Sequence, residues 1–511
     1  MANRSIFVAP NAVVAPNTIN AAGGAAYAMS AKEALAQYVV TATFNGTFYA
    51  NADEHVDQCL ALCNQINDPV FIAKAAVYGR TVGKMKDVPV VLLAWLAANG
   101  HSTQVQQAFP KICNNFKQVS NFAQVIRSGK LGRKSFGTVL KRLINSYLTS
   151  TEVDKLFTGS VGVGNPSLVD VVKMTHPKGD AKHNAFFAYM LDKEYNKRYL
   201  SPLIKQYEAY KKNPVGETPD VPFQLLTNLT LSKEQWKSVA KNMPWNTLRM
   251  NLNSLQNKGL FNDSEFVDQV ASDLVDAQAI RYSKSFPYSI MAAYLNTVGN
   301  VPNKISNALQ DALEIATENV PSLDGKVAVL VDVSSSMTCS VTGNRPGATS
   351  KVSCLQVAAL VGSTILRKNP DATVIPFDTA VRQIALNSRD SVMTNAQKLA
   401  IHGGGTNIAV GLNFLNQQRA KLDAVIIVSD NESWAGRNNS YQEWATLKQR
   451  NPGAKLVMLD VVPNTTTPVM SGKDVLPVGG FSDECWTTIS RFLSGENVNV
   501  VKVINEVDLN G

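Results

Sequence analysis

From residue 30 to about 318 the apolar side chains recur at helical spacing. Leu35, Tyr38, Val39 and Ala42 follow a 3.6-residue period. So do Phe136, Val139, Leu140, Leu143, Ile144, Tyr147 and Leu148, and later Phe266, Val270 and Leu274. Period-two alternation is absent here. Breaks at Asn67-Asp68-Pro69, Asp87-Val88-Pro89, Asn213-Pro214 and Met243-Pro244 separate the helical segments. Many short helices joined this way predict an α-solenoid over 29–320, although no fixed repeat period is visible. Residues 1–28, rich in Ala, Asn, Pro and Gly, predict a flexible arm.

At residue 321 the pattern changes. After the turn Pro321–Gly325, Lys326–Val333 is a continuous apolar run, the signature of a strand buried on both faces. Leu355, Ala358, Ala359, Gly362 and Leu366 form a helical stripe. Ala372–Phe377, Ala424–Ser429 and Ala454–Val462 read as further strands, and Tyr441–Arg450 as a helix. Strand–helix alternation over 321–511 predicts a doubly wound parallel sheet. The fold class is therefore multidomain, α followed by α/β.

Charge sharpens the contrast. The net charge of +9 is nearly all in the first part: 1–320 hold 32 basic and 24 acidic residues, 321–511 hold 17 and 16. Residues 101–150 contain Lys111, Lys117, Arg127, Lys130, Arg133, Lys134, Lys141 and Arg142 with no Asp or Glu. Solvated faces usually mix signs, so this stretch points to an anionic partner, nucleic acid first. Lys134 and Lys141, seven residues apart, are expected on one helix face, opposite Phe136, Leu143 and Tyr147. No run of about 18 apolar residues is present, so no membrane helix is expected. Nor does Met1–Ala31 carry a basic segment leading into an apolar core, the mark of a secretory leader. Six cysteines are too few for a disulfide scaffold, which leads to the expectation of a reducing, cytoplasmic compartment; the chain is expected to be a monomer.

The second part carries candidate chemistry. Its first strand ends in Asp332-Val-Ser334-Ser-Ser336, and ligands of open α/β sheets bind beyond the carboxyl ends of strands. Two more oxygen donors stand at matching positions: Thr406, after His402 and three glycines that admit close backbone approach, and Asp430, directly after Ala424–Ser429. Carboxylates plus hydroxyls suit Mg²⁺ or another divalent cation, with water completing the shell. His402 is read as shaping the glycine turn, and His55, His101 and His183 as structural. Cys59 and Cys63 lie four apart on one helix, but nothing completes a zinc site. No nucleophile, base and oxyanion donor assemble, so the chain is read as non-enzymatic.

The five oxygen donors resemble the metal-ion-dependent adhesion site of the von Willebrand factor A fold. An all-helical basic region followed by such a domain, with Asp430-Asn-Glu-Ser-Trp-Ala-Gly436, resembles the Ro autoantigen family. The helical part looks like that family's TROVE module, shared with telomerase- and vault-associated proteins. The motifs that carry this are Arg127–Lys134, Met174-Thr-His176-Pro-Lys178 and Arg281–Pro287. The resemblance implies HEAT-like repeats in a toroid closed by the A domain. It implies binding of small structured Y-like RNAs on a basic face, and of misfolded RNA 3′ ends in the central hole. It also implies a scaffold that hands RNA to an exoribonuclease. Carried over by position, His176 and Lys178 fall in an RNA-contacting segment, with Lys130, Arg133 and Lys134 in the neighbouring helix. Pro177 and Ser283-Lys284-Ser285 depart from the family pattern and put the fine RNA specificity in question. Arg127, Lys141 and Arg142 join the set on charge. The competing reading is a protein-interaction adaptor, in which solenoid and Mg²⁺ site bind protein partners. A metal-assisted phosphodiesterase would need a base or a second metal.

Overall fold

A computed structural model describes residues 15–283, 285, 287–318, 320–341, 352–401, 403–436, 439–480, 483–496 and 498–510. The first half of the expected arm, His402 and Lys284 lie outside the described residues. The chain divides into two compact units, Met1–Ile66 with Ala271–Glu506, and Asn67–Val270 with Val507–Gly511.

The second of these units is helical. Asp68 accepts the Phe71 N–H at 3.0 Å and Pro69 opens the helix Pro69–Thr81, so the first turn is capped where the sequence break stands. Val88–Ala98 (VPVVLLAWLAA) is apolar all round and buried on nearly every face. It is the central helix, packed by Pro69–Thr81, Ser102–Ile112 and Phe116–Arg127. Gly137–Ser150 lays Leu140, Ile144 and Leu148 inward and leaves Lys141 and Arg142 exposed.

The other unit is built on a sheet. Strands β1 (Thr18–Ile19) and β2 (Ala25–Ala28) pair antiparallel. Then come β3 (Val327–Asp332), β4 (Thr373–Phe377), β5 (Ala424–Ser429), β6 (Lys455–Asp460), β7 (Thr466–Thr467) and β8 (Val475–Gly479). β4-β3-β5-β6-β8 form one all-parallel sheet. Every residue of β3 and β5 is buried, as their unbroken apolar runs require. Helices cover both faces. A Cβ on Gly362, in Cys354–Lys368, would stand 2.8 Å from Val331, whereas one on Gly411, in Ile408–Gln417, would stand 2.8 Å from Leu330. Val331 and Leu330 are strand neighbours and point to opposite faces. On the Leu330 side Phe377, Leu412, Ile427, Trp444 and Met458 form the core. Gly411→Ala would gain about 1 kcal/mol of helix propensity, but overpacking against buried Leu330 costs about 1–3 kcal/mol. We expect a net loss, read as a lowered melting temperature; an unchanged melt would mean that this face has slack.

Two expectations change here. The described part of the arm carries strand structure: β2 pairs with β7, Tyr27 opposite Thr467 and Ala28 opposite Thr466, so a paired strand stands where a free tail was expected. Packing also cuts across the change of pattern at 321. The helix Ala31–Thr41 lies on β8, where a Cβ on Gly480 would stand 2.8 Å from the Val40 carbonyl oxygen. Sequence pattern reports the type of element, not its neighbour in space.

Candidate functional site

The parallel registers set Asp332, Ser429 and Asp460 side by side at the carboxyl edge of the sheet. The chain turns at once after β3, and the Ser334 N–H donates to Asp332 Oδ1 at 2.9 Å. The turn Ser335–Thr338 follows, and the Ser334 and Ser336 hydroxyls meet at 3.2 Å. Ser429, at the end of β5, donates its hydroxyl to Asp332 Oδ2 at 2.5 Å.

The glycine loop brings in Thr406. The Gly403 N–H donates to the Val333 carbonyl at 2.8 Å, and the Ser335 N–H to the Gly404 carbonyl at 3.0 Å. The Gly404 N–H donates to Asp378 at 3.1 Å. A Cβ on Gly403 would fall 1.7 Å from that carboxylate, and one on Gly405 2.4 Å from the Trp434 ring, so a larger residue at either position would have to displace one of these side chains. The Thr406 carbonyl in turn accepts from the Trp434 N–H at 3.1 Å. Asp332, Ser334, Ser336, Thr406 and Asp430 are thereby drawn to one edge, all buried.

Electrostatics at this edge are unbalanced. Burial, then the Asp430 charge, pushes the Asp332 carboxyl up to about 7. Burial raises Asp430 too, and pushes Glu432 up to about 7. Asp460 is raised by burial and by Asp430 and Glu432, and neither of its carboxylate oxygens meets a hydrogen-bond donor at ordinary geometry. Among the described residues no Lys, Arg or His forms an ion pair with these four carboxylates. Buried anions without a counter-charge, beside hydroxyls, are a hard-oxygen donor set that fits a divalent cation. Among the described residues no three His, Cys, Asp or Glu side chains gather into a cage, so hydroxyls and water would have to share the ligation.

Their raised folded values set a pH dependence. With chelator present, the folded state holds protons that the unfolded chain releases from about pH 4. Stability should therefore fall as pH rises from about 4 to 7, by a few kcal/mol in all, and level off above. Chemical denaturation at graded pH measures this; a rise across the window would contradict the assignment.

Sequence reasoning missed several residues of this edge. Ser429 and Asp460 end their strands, and only register brings them to Asp332. Tyr49, between the helices Ala31–Thr41 and Ala52–Ile66, is pushed up to about 12 by burial and by the Asp430 charge, which puts it at this edge. Asn45 donates to the Ser340 carbonyl at 2.9 Å, and the Ala22 N–H to Glu432 at 3.0 Å. Those contacts cross about 300 to 400 residues of chain, so no local signal marks them.

The helical unit carries the basic residues. Gly137–Ser150 and the segment after Leu168–Thr175 line an open cleft of about 910 Å³, with Lys141, Arg142, His176 and Lys178 on its walls. Asn145 donates to the Thr175 carbonyl at 3.0 Å and holds the walls together. His176 closes its helix in the left-handed conformation, φ 53°, with its side chain exposed. Arg142 donates to Gln106 at 2.8 Å.

The other basic residues divide. Arg127 ends its helix, and Lys130 and Lys134 stand exposed in the loop that follows. Lys134 precedes the helix start at Gly137, so it does not share a helix face with Lys141, and the segment 130–134 is loop rather than helix. Three glycines with positive φ (Gly129, Gly132, Gly137) bend the chain there. Arg133, expected on the RNA face, is turned inward. Its guanidinium donates to the carbonyls of Ser135 at 2.7 Å, Ala97 at 2.8 Å and Phe136. Arg133→Ala would leave three carbonyls short of a donor and should cost about 1–3 kcal/mol of stability. A melting curve equal to wild type would return Arg133 to the RNA set. Arg281 pairs with Glu318 at 3.1 Å. His183 bridges Asp180 at 2.9 Å and the Thr151 carbonyl at 3.0 Å, and His55 is buried beside Thr47 at 3.0 Å, both structural.

Residues 326–493 match the family model described as the Ro60 vWA domain. Over 519 aligned residues the chain is 25% identical to a Deinococcus radiodurans protein named RNA-binding protein RO60, covering 93% of this chain and 95% of that one. A Caenorhabditis elegans protein of the same name is 23% identical over 282 residues, 52% of this chain and 42% of its own length. The crystal structure of the Deinococcus radiodurans Ro (RSR) protein is similar in fold, with a TM-score of 0.65 at 23% identity, covering 91% of this chain and 100% of that one. The Ro-family resemblance drawn from the sequence is borne out, as is the fold class, a helical region followed by an A-type parallel-sheet domain.

Proposed function

From the premise that this is a Ro-type chain, helical module and A domain together, we propose that it binds RNA through the cleft of the helical unit. One observation carries the reading: Lys141, Arg142, His176 and Lys178, from two separate segments, share one open wall-to-wall groove. Such a groove takes a phosphate backbone, and shape with phosphate contacts is how structured RNA is mostly recognised. The RNA class is a small structured, Y-like RNA. Single-stranded ends of misfolded RNA are a second cargo, which makes the chain a quality-control scaffold that passes RNA to an exoribonuclease. It acts without catalysis of its own, in the cytoplasm. No described helix is long and apolar enough to cross a membrane.

Asp332, Ser334, Ser336, Thr406 and Asp430 would hold Mg²⁺, which supplies the positive charge that the buried carboxylates lack. Ser429 orients Asp332, and the glycine loop positions Thr406. A second reading, a protein adaptor, draws on Phe48 and Trp434, aromatic side chains more than half exposed on segments that reach this edge. Filter binding of a labelled stem-loop RNA at graded salt decides between them. Steep loss of binding with salt supports RNA as the ligand of the cleft. Absent or salt-insensitive binding favours the adaptor.

A further inference from the structure

We propose that Cys339 and Cys354 are a peroxide-oxidisable thiol pair, whose disulfide pins the end of the turn that carries Ser336. Their sulfurs stand 3.5 Å apart. Between them the chain leaves and returns as an antiparallel pair: Ser340 bridges Ser353, the Val341 N–H donates to the Val352 carbonyl at 2.9 Å, and the Cys354 N–H to the Cys339 carbonyl at 2.9 Å. Opposed residues in such a pair have Cα atoms about 4.5–5.5 Å apart, inside the range a disulfide spans. Rotation of the two side chains is then the main movement that closing the bond asks for.

The two sulfurs differ in access. Cys339 is half-buried and reachable by a small oxidant, while Cys354 is buried behind it. The Cys339 thiolate attacks one oxygen of hydrogen peroxide, breaking the O–O bond and releasing hydroxide, to give a sulfenic acid. The Cys354 sulfur, its proton passing to water, then displaces hydroxide from that sulfenic acid and forms the S–S bond. Two thiols and one peroxide yield one disulfide and two waters. Cys59 and Cys63, the other close pair, are both fully buried on one helix, and Cys113 and Cys485 are buried as well, so Cys339 is the most accessible of the six thiols.

The bond would join two working parts. Cys339 directly follows Ser335–Thr338, and Cys354 opens the helix Cys354–Lys368, which packs on β3. Oxidation ties the metal turn to the cover of its own sheet, and a thiol reductant releases it.

The test uses the full reduced chain, treated with a small excess of hydrogen peroxide, alkylated under denaturing conditions and peptide-mapped. We expect two of the six thiols to disappear together, with a 339–354 linked peptide that dithiothreitol removes. The melting temperature should rise by several degrees on oxidation. In Cys354→Ser no link should form, and dimedone should label Cys339. Six alkylated thiols after peroxide, a link elsewhere, or separate over-oxidation of the two cysteines would each overturn the proposal. The wild-type map decides this by itself if the variant does not fold.

Discussion

Replacing Lys141, Arg142, His176 and Lys178 together by alanine should weaken binding of a stem-loop RNA by roughly a thousandfold at low salt. Each side chain lines the same cleft and each is exposed, so none is needed to hold the fold. At about 1 kcal/mol or more per charge-assisted contact, four contacts amount to about 4 kcal/mol. The loss should be shared unevenly. His176 offers one hydrogen bond. Arg142 is already engaged by Gln106, so its contact with RNA must replace that bond. The wild type should itself lose about a thousandfold between 50 and 200 mM salt if roughly six phosphates are neutralised, and the quadruple variant should show a shallower slope. Lys130→Ala with Lys134→Ala, on the neighbouring loop, should cost less. Gel shifts alongside circular dichroism measure all of this. Unchanged affinity with a native spectrum would move the RNA surface elsewhere. Lost helicity would make these positions structural.

The second large effect lies at the metal edge. Mg²⁺ should stabilise the wild type, by about 2.7 kcal/mol at a hundredfold excess over Kd, and Asp332→Ala should abolish that stabilisation. Asp332→Asn separates charge from shape. Its amide can still accept the Ser334 N–H and bond Ser429, the two partners of the native carboxylate. In chelator the Asn variant should therefore be more stable than wild type, because a buried charge without a counter-ion is removed. In Mg²⁺ the order should reverse. Equal Mg²⁺ shifts in all three proteins would refute the ligand set. RNA affinity should survive either substitution, since the cleft residues belong to the other compact unit.

The sequence was informative wherever a signal is local. Continuous apolar runs marked β3, β5 and β6 within one or two residues, because a strand buried on both faces has no polar alternative. The candidate donors Asp332, Ser334, Ser336, Thr406 and Asp430 were legible because each stands at the end of a strand, in the turn just after one, or after a glycine run. The acid-free stretch announced a basic surface for a similar reason, since charge counts need no coordinates.

Facing direction and distant contact were not legible. Arg133 looked like its basic neighbours, yet the tight glycine turns aim its guanidinium at three carbonyls. Lys134 and Lys141 shared a helix face only while the helix start was unknown. Composition made 1–28 an arm, but β2 finds an edge at β7, some 440 residues later. Cys339 and Cys354 were scattered thiols until an antiparallel bridge set them 3.5 Å apart. Side-chain type and periodicity are properties of the chain, and so the sequence alone determined the elements, the candidate oxygen donors and the excess of positive charge in the first part. Register, turn direction and pairing across hundreds of residues are decided by which surfaces bury one another. For that reason only the tertiary structure could separate the cations that line the cleft from the one that braces its loop.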